Sequence, residues 1–450
     1  MWRSLDSGIT RVKILVLTNL FPPHHAGTFD LRCQSVTEIL QKRGHEIRVL
    51  TSNHGMTTEQ RDNQIARRLR LNGVFGHRAI SSLGELANLE KHNHQVLRET
   101  VSEFEPDLIH VYSLEGLSKS LTFTLRNCQL PTVYDVTDQW LSLGIRNDAW
   151  LRWWNQDPAP LLRRSVRALL EVAGQRVRLD ATAPTRMMKG YDRLPKVFGK
   201  VDPSEEIEPN SIAGFRFERL YFCSDFLKRR TEEAGFQVSH GEVIYPGIRT
   251  EQFVGDIKPQ SAPMAKFLIV TQLDADSGVM TALEALRQAR ENQISAKINI
   301  CGRGDSEYIA KLRSFVVRHQ LPVEFLTISN PQKDMPAVYR QHDAFIYTSE
   351  WDEPFAVAPL EAMAAGLPVI GAKSGGAREL FRNGDNAWVY TPGDSLELAS
   401  RIQEIQMQPV LRHQMAENAQ TEALSKFNET IVADQIENYL NNSLEFWQRN

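Results

Sequence analysis

The sequence predicts an α/β protein made of two Rossmann-like, doubly wound domains. Two observations carry this. Short runs of branched apolar residues alternate with helix-period segments along most of the 450 residues. The alternation then restarts at Phe267, after a Pro- and Gly-bearing stretch from Pro246 to Met264 that reads as a linker. A chain of this length is expected to hold two domains, here residues 1–247 and 248–430, with 431–450 as a closing helix.

In the first half, Val12 to Thr18 reads as a buried strand and Asn19 to Gly27 as a Pro/Gly loop. Phe29 to Arg43 follows as a helix with Val36, Ile39 and Leu40 on its apolar face; Gly44 ends it and Ile47 to Thr51 is the next strand. Arg68 to Leu71, Leu108 to Tyr112 and Pro131 to Val136 are further strands. In the second half the strands are Phe267 to Thr271, Lys297 to Cys301, Val323 to Leu326, Ala344 to Thr348 and Pro368 to Gly371. Met280 to Arg290 and Asp305 to His319 are helices between them. Ile431 to Phe446 has helical apolar spacing at Ile436, Tyr439, Leu440 and Leu444.

Composition narrows the function. Hydrophobic residues make up 42%, enough for ordinary cores, and the net charge of −3 gives no basic field for nucleic acid. Cys33, Cys128, Cys223 and Cys301 are far apart and lack metal-ligand spacing; they fit buried thiols in a reducing cytoplasm. No apolar run approaches transmembrane length, and Ile14 to Leu17 is too short for a signal sequence.

The chemistry concentrates between the strands at Ala344 and Pro368. Glu353 falls on a loop at a strand's carboxyl end, and Glu361 about two turns later, on or near the next helix. Open parallel sheets bind ligands there. Two carboxylates so placed can hold two sets of sugar hydroxyls, such as a hexose and a ribose. The N–H groups of Phe355, Ala356 and Val357, at a helix start, can hold phosphate between them. The plainer reading is two exposed acids on an ordinary helix.

The segment Ser349 to Ile370, with Glu353-Pro354-Phe355 and Glu361-Ala362-Met363-Ala364, resembles the retaining GT-B glycosyltransferases of family 4, the glycogen-synthase-like group. The resemblance implies a GT-B fold: two Rossmann-like domains facing a central cleft, the last helix crossing back onto the first. It implies transfer of a sugar from a nucleotide-sugar donor, with retention of configuration and no metal or other cofactor. Glu353 would contact the donor sugar near the reacting centre and Glu361 the ribose. The acceptor stays open among a glycan, a lipid and a small molecule. Phe21 to Thr28 resembles the family's Pro-Pro…Gly-Gly loop, with Ala26 in place of the first Gly; Gly27 would approach phosphates or acceptor. Cys301 to Asp305 matches a Gly-x-Gly turn whose Arg303 either meets phosphate or is solvated. Gly375 to Glu379 either opens near the donor or serves tight packing.

Departures from the family pattern matter as much. Gln272 stands where the family carries Arg, and Ser277 where it carries Lys, with Asp274 and Asp276 between them. Those cations stabilise the departing diphosphate. Thr137 replaces a His found in many members, although Asp138 remains as a catalytic candidate. The chain is therefore an enzyme with substitute cations such as Arg303 or Lys333, an enzyme for an unusual donor, or an impaired homologue acting as a binding or partner subunit. The resemblance is weakest from about Trp140 to Leu220. Here Trp140, Trp150, Trp153 and Trp154 lie beside Arg152 to Arg193, which holds nine Arg/Lys against four Asp/Glu. This stretch is either a peripheral membrane contact or domain core with a solvated face.

Overall fold

The computed structural model describes residues 11–56, 62–80, 82–141, 217–262 and 264–449, together with positions 144, 148, 150, 161, 165 and 169. The chain forms two compact units. The first comprises Met1–Cys223, Leu227–Ile244 and Ala433–Asn450; the second comprises Ser224–Phe226 and Tyr245–Val432.

The first unit is built on β1 (Lys13–Leu17), β2 (Glu46–Ser52), β3 (Ile65–Leu69), β4 (Leu108–Val111), β5 (Thr132–Val136), β6 (Arg219–Phe222) and β7 (Glu242–Val243). All are parallel, in the order β3-β2-β1-β4-β5-β6-β7. Ile14 of β1 pairs with Ile47 on one side and Leu108 on the other, so apolar residues line up across the sheet. Strands buried on both faces need such continuous apolar runs. Helix α1 (Thr28–Lys42) follows β1; Asp30, in its first turn, accepts from the N–H groups of Ala26 and Gly27 at 2.8 and 3.3 Å. Gly44, at φ +99°, ends it in a left-handed conformation. The strand expected at Arg68 to Leu71 begins three residues earlier and ends two earlier, at Ile65–Leu69. It is an edge strand whose partner β2 shifts register between Thr51 and Ser52.

The chain's last helix (Glu429–Arg449) contributes its later turns to the first unit. Arg43 pairs with Asp434 and Glu437, and the Tyr439 hydroxyl donates to the Leu220 carbonyl at 2.8 Å.

The second unit repeats the design with β8 (Lys266–Val270), β9 (Lys297–Cys301), β10 (Val323–Leu326), β11 (Ala344–Tyr347), β12 (Val369–Ala372) and β13 (Trp388–Tyr390). The parallel order is β10-β9-β8-β11-β12-β13. The helix Val279–Glu291 follows β8, and the helix Pro331–Arg340 precedes β11. The short helix Ala358–Ala364 joins β11 to β12. The stretch Pro246 to Met264 is not a free linker. A Cβ at Gly247 would lie 2.8 Å from the Cα of Glu429, and one at Gly255 would lie 2.9 Å from the Ala365 carbonyl. Arg412 donates to the carbonyls of Gln260 and Ala262, and Lys258 pairs with Asp343. The glycines there permit close packing within the second unit.

Candidate functional site

The second unit's winding reverses between β8 and β11, which are neighbours although two strands and three helices of sequence separate them. Loops leaving strands on either side of such a reversal diverge above the sheet and leave a crevice. The two loops are tied at their roots. Thr348 Oγ1 donates to the Ser277 carbonyl at 2.6 Å, and the Glu350 amide to the Asp276 carbonyl at 2.9 Å. Gly278 makes the contact possible: it sits at φ +68°, and a Cβ there would fall 1.8 Å from the Thr348 carbonyl oxygen. Gly278→Ala should therefore lower stability by about 2–4 kcal/mol, read from urea unfolding midpoints of the full chain. An unchanged midpoint would show that the two loops tolerate separation.

The Gly-x-Gly turn after β9 packs on the same loop. Leu273 donates to the Arg303 carbonyl at 2.9 Å, and Cβ atoms at Gly302 and Gly304 would lie 2.0 Å from the carbonyl oxygens of Thr271 and Leu273. Those glycines are explained by backbone contact alone. Arg303 is exposed, with its guanidinium on the Ile328 carbonyl at 3.2 Å.

Glu353 is held through its backbone. Its amide donates to the Trp351 carbonyl at 2.9 Å, and its carbonyl accepts from Gly376 at 2.8 Å. The Gly375 amide binds Asp352 Oδ1 at 2.7 Å, and Ser224 Oγ donates to the Pro354 carbonyl at 2.6 Å. Gly375 lies at φ +45°, with its missing Cβ 2.3 Å from the Glu353 carbonyl oxygen. The Gly375 to Glu379 turn thus packs tightly, and what it packs on is the backbone of Glu353 itself.

The plainer reading, two exposed acids, does not hold. Glu353 and Glu361 keep only partial exposure to solvent. Burial pushes the Glu353 carboxyl up to about 7; the hydroxyls of Ser349 and Tyr347 oppose that, and the charge of Asp274 adds to it. Burial likewise pushes Glu361 up to about 7, against a hydrogen bond from Tyr339, whose hydroxyl donates to Glu361 Oε2 at 2.8 Å and to the Ala358 carbonyl at 3.2 Å. Neither carboxylate has a cationic partner among the described residues. Between them, the amides of Phe355, Ala356 and Val357 donate to no acceptor among the described residues; the first helical bonds, from Leu360 and Glu361, return to the Val357 carbonyl.

Where the family carries cations, Gln272 is exposed and Ser277 is buried. The Ser277 hydroxyl donates to the Asp274 carbonyl at 2.7 Å, inside its own loop. Gly27 and Asp138 belong to the first unit. Gly27 has extended backbone, and a Cβ there would meet nothing within 4 Å. Nothing among the described residues requires a glycine at that position. Asp138 follows β5; it accepts from Ser113 Oγ at 3.0 Å and from the Trp140 amide at 2.5 Å. Burial, then the charge of Glu115, pushes its carboxyl up to about 7. Sequence reasoning missed Tyr339, Tyr347 and Ser374, which surround the two glutamates. A tyrosine 22 residues before Glu361 carries no local signal.

Two families match this chain: "Glycosyl transferases group 1" over residues 257–422 and "Glycosyl transferase 4-like domain" over residues 30–177. Together they span most of both units. The chain belongs to the family 4-like group of GT-B glycosyltransferases. Spore coat protein SA of Bacillus subtilis is 30% identical over 176 residues, 38% of this chain and 46% of that protein. The putative colanic acid biosynthesis glycosyltransferase WcaL of Salmonella typhimurium is 28% identical over 228 residues, 48% of this chain and 55% of its own length. The matched segments thus span about half the length of these relatives. Likeness to solved structures shows the GT-B fold. Sucrose-phosphate synthase from Thermosynechococcus elongatus superposes with TM-score 0.63 at 15% identity, covering 96% of this chain and 99% of that one. Anabaena HepE in complex with UDP-glucose gives TM-score 0.59 at 20% identity, covering 96% and 100%.

Among the described residues no helix is long and apolar enough to cross a membrane. The basic, Trp-bearing stretch read as a membrane contact or a solvated face falls almost wholly outside the described residues.

Proposed function

We propose that this GT-B family member transfers a sugar from a nucleotide-sugar donor to an acceptor, with retention of configuration. The observation that carries the reading is the Glu353–Glu361 pair, desolvated and, among the described residues, without a cationic partner, with three backbone amides between them that meet no acceptor there. Carboxylates left like this are costly unless a ligand's hydroxyls satisfy them. Glu353 takes hydroxyls of the donor sugar, Glu361 those of the ribose, and the amides of Phe355 to Val357 take the diphosphate. In the reaction the bond from anomeric carbon to diphosphate oxygen breaks, and the diphosphate leaves with the electron pair. A bond to the acceptor oxygen forms, and the acceptor's proton passes to the departing diphosphate oxygen. Asp138 is the candidate residue on the acceptor side and Gly27 the point of close backbone approach there. No metal is invoked. The acceptor is a glycan, a lipid or a small molecule, and the site is read as cytoplasmic.

The name of WcaL supports glycosyl transfer, and the HepE complex with UDP-glucose supports a nucleotide-sugar donor. With neutral Gln272 and a turned-in Ser277, the diphosphate is held weakly and transfer is slow, because ion-assisted hydrogen bonds are about twice as strong as neutral ones. Arg303 or Lys333 supplies part of the missing charge. Gln272→Arg tests this cleanly, since the side chain is exposed; a lysine at Ser277 would also break a buried hydrogen bond. The expected result is a roughly tenfold gain in nucleoside diphosphate affinity by calorimetry, about 1.4 kcal/mol, and faster diphosphate release from donor. No gain removes the weak-cradle reading. Release by the variant but none by wild type favours the partner-subunit role.

A further inference from the structure

Three histidines meet at the carboxyl edge of the first unit's sheet, one from each of the loops that follow β1, β2 and β3: His24, His54 and His77. His54 Nδ1 and His77 Nε2 share a hydrogen bond at 3.0 Å. Those two rings have centroids 5.2 Å apart, and the His24 ring stands edge-on to His54 at 6.4 Å. His54 and His77 are half-buried. The transfer reaction proposed above makes no use of them.

The backbone is shaped around this cluster. A Cβ on Gly55, which sits at φ +75°, would fall 2.3 Å from His24 Nδ1, so His24 lies directly on the loop after β2. The loop after β3 turns through Gly73, Phe75 and Gly76, all left-handed at φ +71°, +51° and +82°. Phe75 lacks a glycine's freedom, and such a conformation persists only where surrounding contacts hold it. Its ring packs towards His54, with centroids 6.1 Å apart. At their roots the two loops are tied by the Asn53 amide, which donates to the Leu69 carbonyl at 2.8 Å; the histidine bond lies further out.

That bond is conditional on protonation. One ring nitrogen must donate and the other must offer a lone pair. Two neutral imidazoles satisfy this. So does an imidazolium on an imidazole, which makes the stronger bond. Two imidazoliums do not, because donors and like charges then face each other. The second proton is therefore taken up as a property of the pair. Burial, then the charges of His77 and His24, holds His54 below the ordinary histidine range, and no acid among the described residues offsets them. The other charges on these loops are engaged elsewhere or exposed. Arg67, on β3, donates to the Phe21 and Pro22 carbonyls and feels the charge of Asp62; Arg78 pairs with Glu85 at 3.1 Å; His25 is exposed.

We propose that His54 and His77 form an acid-released clasp: at neutral pH their shared bond holds the loops after β2 and β3 together, with His24 and the Phe21–Gly27 loop packed on them, and when both rings carry a proton the loops part. The sign follows from linkage. A proton that the folded loops disfavour and the unfolded ones accept lowers local stability as pH falls below about 6.5, and has no effect well above it. Gly27, read above as the point of approach to the acceptor, belongs to the loop that is then freed. The clasp itself does not depend on that reading.

Hydrogen–deuterium exchange of the full chain tests it. The readout is peptides carrying the Met56 and His77 amides, which bond inside their own loops to the Asn53 and Val74 carbonyls at 3.2 and 2.9 Å. Wild type, His77→Gln and His77→Ala are compared at pH 7.5 and 5.5, each rate divided by the intrinsic exchange rate at that pH. Glutamine places an amide near the Nε2 position and does not titrate, so its oxygen accepts from His54 at either pH. Wild type should exchange at least about fivefold faster at pH 5.5 than at pH 7.5. His77→Gln should lose that difference, and His77→Ala should exchange fast at both values. Peptides from the helix Val279–Glu291 of the second unit report global opening and should not change. Equal exchange at the two pH values in wild type, the same acid response in His77→Gln, or a matching rise in the reference helix overturns the clasp. Should His77→Ala fail to fold, the other two proteins decide. None of these outcomes bears on the transferase reading.

Discussion

Glu353→Gln should reduce donor turnover by at least about a hundredfold while leaving the fold intact, since replacing a group that acts in the transition state typically costs that much or more. Glutamine keeps the size of the side chain and one acceptor oxygen but removes the charge and the titrating proton. The backbone of Glu353 is held by Trp351, Gly375 and Gly376 whatever the side chain is, so the loop should stay in place. Release of nucleoside diphosphate from a donor panel, with cell-extract acceptors, is the readout, alongside the melting temperature. Turnover equal to wild type would remove Glu353 from the reacting centre and leave it a mere hydrogen-bond acceptor. The carboxyl titrates at about 7, pushed there chiefly by burial. Wild-type activity should therefore change across neutral pH, and the part of that change due to Glu353 should be missing from the glutamine variant's profile, which keeps the contributions of Asp138 and Glu361.

The fold was legible because parallel strands covered on both faces must be continuously apolar. Val12 to Thr18, Phe267 to Thr271 and Ala344 to Thr348 each overlap the observed strand. Legibility fails where burial is one-sided or the strand short. In the edge strand Ile65–Leu69, Arg67 and Arg68 interrupt the apolar run, and the expected strand slid towards Leu71. The four-residue strand Arg219–Phe222 and the three-residue Trp388–Tyr390 carry too little periodicity to be read. The Glu353–Glu361 spacing located the site, but its polar surroundings come from residues brought in by topology. Tyr339 reaches Glu361 from the helix on the other side of β11 in sequence, and Ser374 reaches the Glu353 loop across β12. Several glycines suggestive of ligand approach, at 302, 304 and 375, are required by backbone contacts instead. Gly27 has no such requirement among the described residues. The same ambiguity made Pro246 to Met264 look like a linker, when its glycines serve packing.

Glu361→Gln should make the protein more stable than wild type at pH 8 and little different at pH 5. The sign follows from linkage. The folded carboxyl titrates at about 7, above its ordinary value of 4.5. As pH rises from 4.5, the unfolded chain loses its proton first while the folded one retains it, so stability falls through the window from 4.5 to about 7 and the full penalty remains above it. At 1.36 kcal/mol per unit of displacement, and allowing for partial exposure, the penalty is on the order of 2–3 kcal/mol. Glutamine does not titrate, and its carbonyl oxygen still accepts from the Tyr339 hydroxyl, which the wild-type carboxylate holds at 2.8 Å. Urea unfolding midpoints of both proteins at the two pH values give the answer. Equal stability at pH 8 would mean that the carboxylate is already compensated without ligand, and the reason for assigning it to ribose hydroxyls would go. In the expected case the same substitution should weaken nucleotide binding, because a charged acceptor is exchanged for a neutral one. A stabilising substitution that costs affinity identifies a residue kept for its ligand rather than for the fold.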